Sequence, residues 1–276
     1  MKFGLFTSGY QRSPLEQAFE DACRFGYDYI ELWGGFPHAY VEDLKRNTTA
    51  QICALSDKYK IPVSCFTPEH NGYPYNYMMG DECQWERCMG YLEDAIGLTS
   101  QMGATHMLFS AGHAGYERPE ADIFGRLVKS VERLTRRAEE ENVILILEPL
   151  TVYESNVISS LRDLERALAA VPSEHLVGMV DLAVPFTTGE PAAEYVRRLG
   201  KRFGYLHVID NDGVSDSHIL PGEGQIPLGS VLKEIQRAGY DGMATIELVT
   251  GYLKEPSVYA GQAIYNLRQM MAARDA

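Results

Sequence analysis

The sequence predicts an α/β protein, a single (β/α)8 barrel of the TIM type spanning residues 1–276. Three observations carry this. Short apolar runs alternate with helical patterns eight times along the 276 residues. Most of the apolar runs are continuous rather than strictly alternating, as in parallel strands buried on both faces. The length suits a single barrel of this kind.

The strands follow in order. KFGLFTSG from Lys2 is the first, YIELWGG from Tyr29 the second, PVSCFTPE from Pro62 the third and HMLFSAG from His106 the fourth. The second half adds ILILEPL from Ile144, LVGMVDLAV from Leu176, FGYLHVID from Phe203 and MATIELVT from Met243. Segments with helical spacing lie between them, such as PLEQAFEDACRFG and LGSVLKEIQRAG. Gly26, Gly103, Gly200 and Gly239 stand where such helices would close, because glycine enters the left-handed cap conformation without a Cβ penalty. A doubly wound open sheet is the competing architecture, but no GxGxxG follows the first strand. No linker or composition shift divides the chain.

Composition narrows the function. The apolar share of 45% and charged share of 23% are those of a globular protein. With 25 basic and 38 acidic residues the formal charge is -13, which opposes nucleic acid and anionic membranes as partners. The run VKSVERLTRRAEEE mixes both signs and reads as a solvated helix face. Cys23, Cys53, Cys65, Cys83 and Cys88 are odd in number and form no CxxC pair, as in a reduced cytoplasmic protein. MKFGLFTSGYQRS lacks the apolar stretch of a signal peptide, and no apolar run approaches the roughly 20 residues that span a bilayer. The expected location is the cytoplasm, with no membrane partner.

The chemistry is concentrated at strand ends. In such a barrel the active site lies at the C-terminal ends of the strands. Strand five ends with Glu148, strand six carries Asp181, strand seven His207 and strand eight Glu247. A single carboxylate in an apolar strand ordinarily pairs with Lys, Arg or a backbone amide. Four ionisable groups on consecutive strands, with no Lys or Arg inside those strands, point instead to one shared cation. Three carboxylates and one imidazole suit a single divalent metal ion, Mn²⁺ first, with Co²⁺, Ni²⁺, Fe²⁺, Mg²⁺ and Zn²⁺ compatible. Such an ion can polarise a carbonyl together with its neighbouring hydroxyl, acidifying the adjacent C–H and stabilising the enediolate. Glu148 and Glu247 are well separated around the rim and could face opposite sides of a sugar, one removing a proton and the other returning one. That inverts the carbon beside a ketone. One carboxylate acting alone would give aldose–ketose isomerisation.

Other residues offer two readings each. His113, at the end of strand four, either contacts a sugar hydroxyl or orders its loop. Trp33, ending strand two, either stacks on the substrate or packs the rim. The loop TPEHNGYPYNYMMGD is either a lid or an oligomer contact, with Glu69 and His70 as weaker site candidates. His38, His106 and His175 read as structural or surface histidines, and Trp85 as core.

The stretches FTSGYQR, IELWGGFPHAY, TPEHNGYPYN, SAGHAGY, LILEPLTVYESNV, MVD, HVIDNDGVSDSHILPGEG and TIELVTGY resemble the xylose isomerase-like barrel superfamily of sugar isomerases and epimerases. Within it the longer stretches look most like the branch that epimerises fructoselysine at C3. The resemblance implies that Glu148, Asp181, His207 and Glu247 hold the metal, that Glu148 and Glu247 are the acid and base, and that Glu154 contacts the sugar near C1 and C2. It implies a small-molecule sugar or Amadori-compound substrate, fructoselysine going to psicoselysine, and a homo-oligomer. Free-ketohexose 3-epimerases of the allulose and tagatose type carry a histidine where this chain has Val184 and an arginine where it has Gly213. Asp216 and His218, in D-x-H-x-x-P-G-E-G, echo endonuclease IV, where these residues hold an additional zinc. Here Val184 removes a further histidine of that cluster, so Asp216 and His218 either contact substrate or pin their loop. The rival activities are a ketohexose 3-epimerase, an aldose–ketose isomerase and an inosose dehydratase-like lyase. A non-catalytic sugar-binding barrel is the alternative from another class.

Overall fold

The computed structural model describes residues 1–47 and 49–273, so Thr48 and residues 274–276 of the expected 1–276 domain lie outside the described residues. Eight parallel strands close into a barrel in sequence order, and β8 returns to pair with β1. They are β1 Lys2–Phe6, β2 Tyr29–Gly34, β3 Val63–Pro68, β4 His106–Ser110, β5 Ile144–Glu148, β6 Leu176–Asp181, β7 Phe203–Val208 and β8 Met243–Ile246. The helices are α1 Leu15–Phe25, α2 Val41–Asn47, α3 Ala50–Tyr59, α4 Glu82–Gln101, α5 Glu120–Glu141, α6 Leu161–Ala170, α7 Ala183–Thr188, α8 Ala192–Leu199, α9 Leu228–Arg237 and α10 Pro256–Ala272. The expected barrel is the observed one.

The continuous apolar strands are explained by burial on two sides. Outward residues such as Leu32, Phe66, Phe109, Leu147 and Leu206 pack under the helices. Inward residues Tyr29, Cys65, Leu108, Ile146, Met179 and Tyr205 fill the barrel. Because side chains alternate with period two, the next inward positions up the strands are Glu31, Thr67, Ser110, Glu148, Asp181 and His207. The interior thus changes from an apolar floor to a polar upper layer within one step of each strand.

Two boundaries differ from the sequence expectation. The first strand stops at Phe6, and Thr7–Tyr10 turn into a 3-10 helix, with Ser8 Oγ donating to the Leu248 carbonyl. β8 stops at Ile246, yet Glu247 N–H still donates to the Val208 carbonyl at 3.3 Å, which holds it at the rim. The four helix-closing glycines all take positive φ, from 54° at Gly200 to 104° at Gly239.

The β3–α4 loop is anchored rather than loose. Tyr75 stacks on Tyr91 with centroids 3.6 Å apart, Tyr77 and Met78 are fully buried, and Asp81 caps α4 reciprocally with Gln84. Arg126 and Arg118, from α5 and the segment before it, donate to loop carbonyls at Tyr77, Met79 and Gly80. Tyr73 alone projects fully into solvent. Trp85 is buried on α4, as expected of core, and the five cysteines are free thiols. Among the described residues no helix is long and apolar enough to cross a membrane.

Candidate metal centre and active-site cleft

Glu148 closes β5, Asp181 closes β6, His207 lies on β7 and Glu247 follows β8. One donor atom from each lies within 4.8 Å of the others. His207 Nδ1 is 2.9 Å from Glu247 Oε2, 3.2 Å from Glu148 Oε1 and 4.0 Å from Asp181 Oδ2. Asp181 Oδ1 is occupied by the Ala183 N–H at 2.7 Å, which leaves Oδ2 turned to the cluster. Glu148, Asp181 and His207 are buried, while Glu247 is partly so.

This donor set fits a divalent cation. His207 Nδ1 is buried and makes no hydrogen bond of acceptable geometry, although carboxylate oxygens surround it. An imidazole nitrogen among three carboxylates gives four donor atoms that could hold one metal ion. Among the described residues lining the cleft there is no Lys or Arg to neutralise the carboxylates.

The protein's own electrostatics show the same tension. Burial pushes the Glu148 carboxyl up to about 7, with Glu247 and Asp181 adding to it and His207 opposing. Burial works against protonating His207, but Glu31 and Glu247 outweigh it and hold its pKa well above the usual value. Burial would also raise Glu247, yet His218 and His207 carry it far below the ordinary carboxylate range. The carboxylates therefore compete for too few protein cations, a strain that a bound divalent ion would relieve.

The cleft above the cluster has a volume of about 220 Å³. Trp33, Glu69, His70, Thr151, Glu154, Asp216 and His218 all line it. Trp33 Nε1 donates to Glu69 at 2.5 Å, which couples two candidates from different loops. His218 Nε2 lies 3.3 Å from Asp181 Oδ2, while Thr151 donates its hydroxyl to Asp216 at 2.9 Å. Glu154 is an exposed residue near the same Thr151 hydroxyl; burial of its carboxyl and the nearby Asp216 raise it to about 8. His113 is placed elsewhere: its Nδ1 accepts the Gly115 N–H, its ring packs on Tyr116, and it does not line the cleft. His38, His106 and His175 hydrogen-bond to the Ser13 carbonyl, the Thr105 hydroxyl and the Val143 carbonyl, away from the cleft.

Two groups at the site went unread or underread in the sequence. Glu31, inside the quoted YIELWGG, is fully buried beneath His207. Its signal was its position two residues before Trp33, hence on the same inward face. His70 accepts the Ser110 N–H through Nε2 at 2.6 Å and ties the third and fourth strand ends together.

Closed barrel and strand-end cluster together define the class. The chain belongs to the xylose isomerase-like TIM-barrel family, whose model matches residues 19–270. It is 46% identical over 271 residues, 98% of each chain, to fructoselysine 3-epimerase of Shigella flexneri, and equally to that of Escherichia coli O157:H7. At that identity and coverage the chain is an epimerase, an enzyme of the isomerase class. The fold is shared with D-psicose 3-epimerase of Clostridium cellulolyticum H10, at a TM-score of 0.80 and 17% identity over 99% of this chain and 100% of that one.

Proposed function

We propose that the protein is a metal-dependent sugar epimerase that inverts C3 of a ketose, with fructoselysine and psicoselysine as its substrate pair. The observation that carries the chemistry is the placement of Glu148 and Glu247 on separate strand ends flanking His207 Nδ1. The 46% identity across nearly the whole of both chains supports this choice of substrate. Glu148, Asp181, His207 and Glu247 would hold the ion, Mn²⁺ being the expected one. When bound, the ion supplies Lewis acidity at the ketone oxygen and its neighbour, which acidifies the C3 proton.

The remaining work belongs to the side chains. Glu148 or Glu247 takes the C3 proton, and the other delivers a proton to the opposite face of the enediolate. Trp33, with its indole held by Glu69, offers an apolar surface to the sugar or its lysyl arm. Glu154, Asp216 and His218 stand where they would receive sugar hydroxyls. Phe6, its ring 5.9 Å from that of His207, and Val184 add apolar surface to the cleft wall. Val184 and Gly213 replace the histidine and arginine expected for a free ketohexose, which favours the Amadori substrate. A binding-only barrel would leave the paired glutamates without a task.

The test is proton exchange in D₂O, followed by NMR with Mn²⁺-loaded protein turned over and then freed of metal before recording. Fructoselysine should gain deuterium at C3 as psicoselysine appears, and allulose should react more slowly. Glu148→Gln and Glu247→Gln should each lower kcat by roughly 10³-fold or more, as expected for removal of an essential acid or base. Absence of C3 exchange with both sugars under several divalent ions would refute the epimerase reading.

A further inference from the structure

Beneath the cluster lies a buried polar network centred on Glu31. Glu31 is completely buried on β2, with no Lys or Arg partner among the contacts it makes. His207 is the ionisable partner among those contacts, and a carboxylate at such a depth is stable only where it is paired and hydrogen-bonded. Its two oxygens are fully engaged. Thr67 Oγ1 donates to Oε1 at 2.7 Å and Tyr205 OH donates to Oε2 at 2.8 Å. His207 Nε2 lies 3.2 Å from Oε1 and 3.1 Å from Oε2.

The hydroxyls fix the direction of every proton. Tyr205 OH gives its hydrogen to Glu31 and so accepts one from Thr245 Oγ1, 2.6 Å away. Thr245 in turn accepts from Tyr29 OH at 3.0 Å. A carboxylate can only accept, so the remaining contact requires a hydrogen on His207 Nε2. The consequence falls on the other ring nitrogen. With the hydrogen held on Nε2, neutral His207 presents the Nδ1 lone pair, and Nδ1 is the atom that faces Glu148, Asp181 and Glu247.

We propose that Glu31 is a positioning residue that fixes the tautomer and tilt of His207, so that Nδ1 is the nitrogen offered to the divalent ion. The inference rests on reading the cluster as a cation site. It assigns Glu31 no contact with substrate. Glu31 acts through the ring it holds, as outer carboxylates do for histidine ligands in general. Tyr205, Thr67, Thr245 and Tyr29 form the rigid frame that keeps Glu31 an acceptor.

The test compares wild type with Glu31→Gln, a near-isosteric change whose amide can donate as well as accept. Mn²⁺ affinity is measured by calorimetry on metal-freed protein. ¹⁵N NMR of the Zn²⁺-loaded protein, with His207→Asn used for assignment, reports which ring nitrogen carries the hydrogen. Wild type should show hydrogen on Nε2 and ligation through Nδ1. Glu31→Gln should bind Mn²⁺ roughly 10–100-fold more weakly, while its metal-free melting temperature stays within a few degrees of wild type. Equal Mn²⁺ affinity in the two proteins would overturn the proposal, as would ligation through Nε2 in wild type. That second readout needs no variant to fold. A wild type that binds no divalent ion would overturn the cation site itself, and so both readings together.

Discussion

His218 Nε2 stands 3.3 Å from Asp181 Oδ2, so a residue carried on the long β7–α9 loop reaches a carboxylate at the end of β6. Strand ends and loop are therefore one electrostatic unit. Three carboxylates and two imidazoles share a small volume, the carboxylates repelling one another and attracting the imidazoles.

A divalent ion held by the cluster would stabilise the fold, and its removal should destabilise it. Binding to the native state alone adds about 3–4 kcal/mol at 100–1,000 times the dissociation constant. For a chain of this size each kcal/mol moves the melting temperature by roughly 2–4 °C. Calorimetric scans with and without chelator should then differ by about 6–16 °C, and excess Mn²⁺ should restore the difference. Identical scans would contradict a resident ion.

The loop bearing His218 depends on Asp210. This buried carboxylate accepts N–H groups from Asn211, Gly222 and Ile226. A Cβ on Gly224 would lie 2.3 Å from Asp210 Oδ1 and 2.7 Å from the Asn211 nitrogen, closer than real contacts allow. Gly224→Ala should cost about 2–4 kcal/mol, or shift the loop and with it His218. Denaturant midpoints and kcat/KM, read together, detect either result; wild-type values for both would show that the loop tolerates the change.

His70 should make stability depend on pH. Burial lowers its pKa to about 4, against an ordinary value of 6.5. A protonated ring could no longer accept the Ser110 N–H. The unfolded chain binds this proton first, so the contribution is fully present above about pH 6.5 and is lost as pH falls towards 4, by up to about 3 kcal/mol. His70→Gln should flatten urea-unfolding free energies over that window. An unchanged slope would place the acid sensitivity elsewhere.

Substrate charge should be discriminated. Six carboxylates, Glu69, Glu148, Glu154, Asp181, Asp216 and Glu247, line the cleft, and no Lys or Arg does so among the described residues. One divalent ion at the cluster would offset only part of that charge. A 6-phosphorylated Amadori sugar should therefore show kcat/KM roughly 10–100-fold below the unphosphorylated one, a gap that narrows with added salt. Steady-state assays at two ionic strengths check this, and equal rates would require a cation not seen in the cleft.

Much of the site was readable because each member broke an apolar pattern. Glu148 ends ILIL, Asp181 interrupts LVGMV, and His207 and Glu247 stand in strands that otherwise read as core. Glu31 broke its pattern in the same way, inside YIELW, but it lies on β2, apart from the four consecutive strands that carry the other ionisable groups. His70 sits in a loop, where no period assigns a face. His113 looked like a rim residue from its place after β4, yet its ring turns to its own loop and Tyr116.

By itself the sequence determined the barrel, its eight strands and the four strand-end ligand candidates. Those follow from local rules: period-two side-chain alternation, apolar runs buried on two faces, and glycine at helix ends. Only the tertiary structure decided which side chains meet. Closure brings β8 beside β1, and the stagger of the strands sets the height at which each inward residue sits. That geometry puts Glu31 under His207, across the barrel interior from β2 to β7. It also folds the β7–α9 loop back so that His218 touches the cluster, a long-range contact that no local spacing encodes.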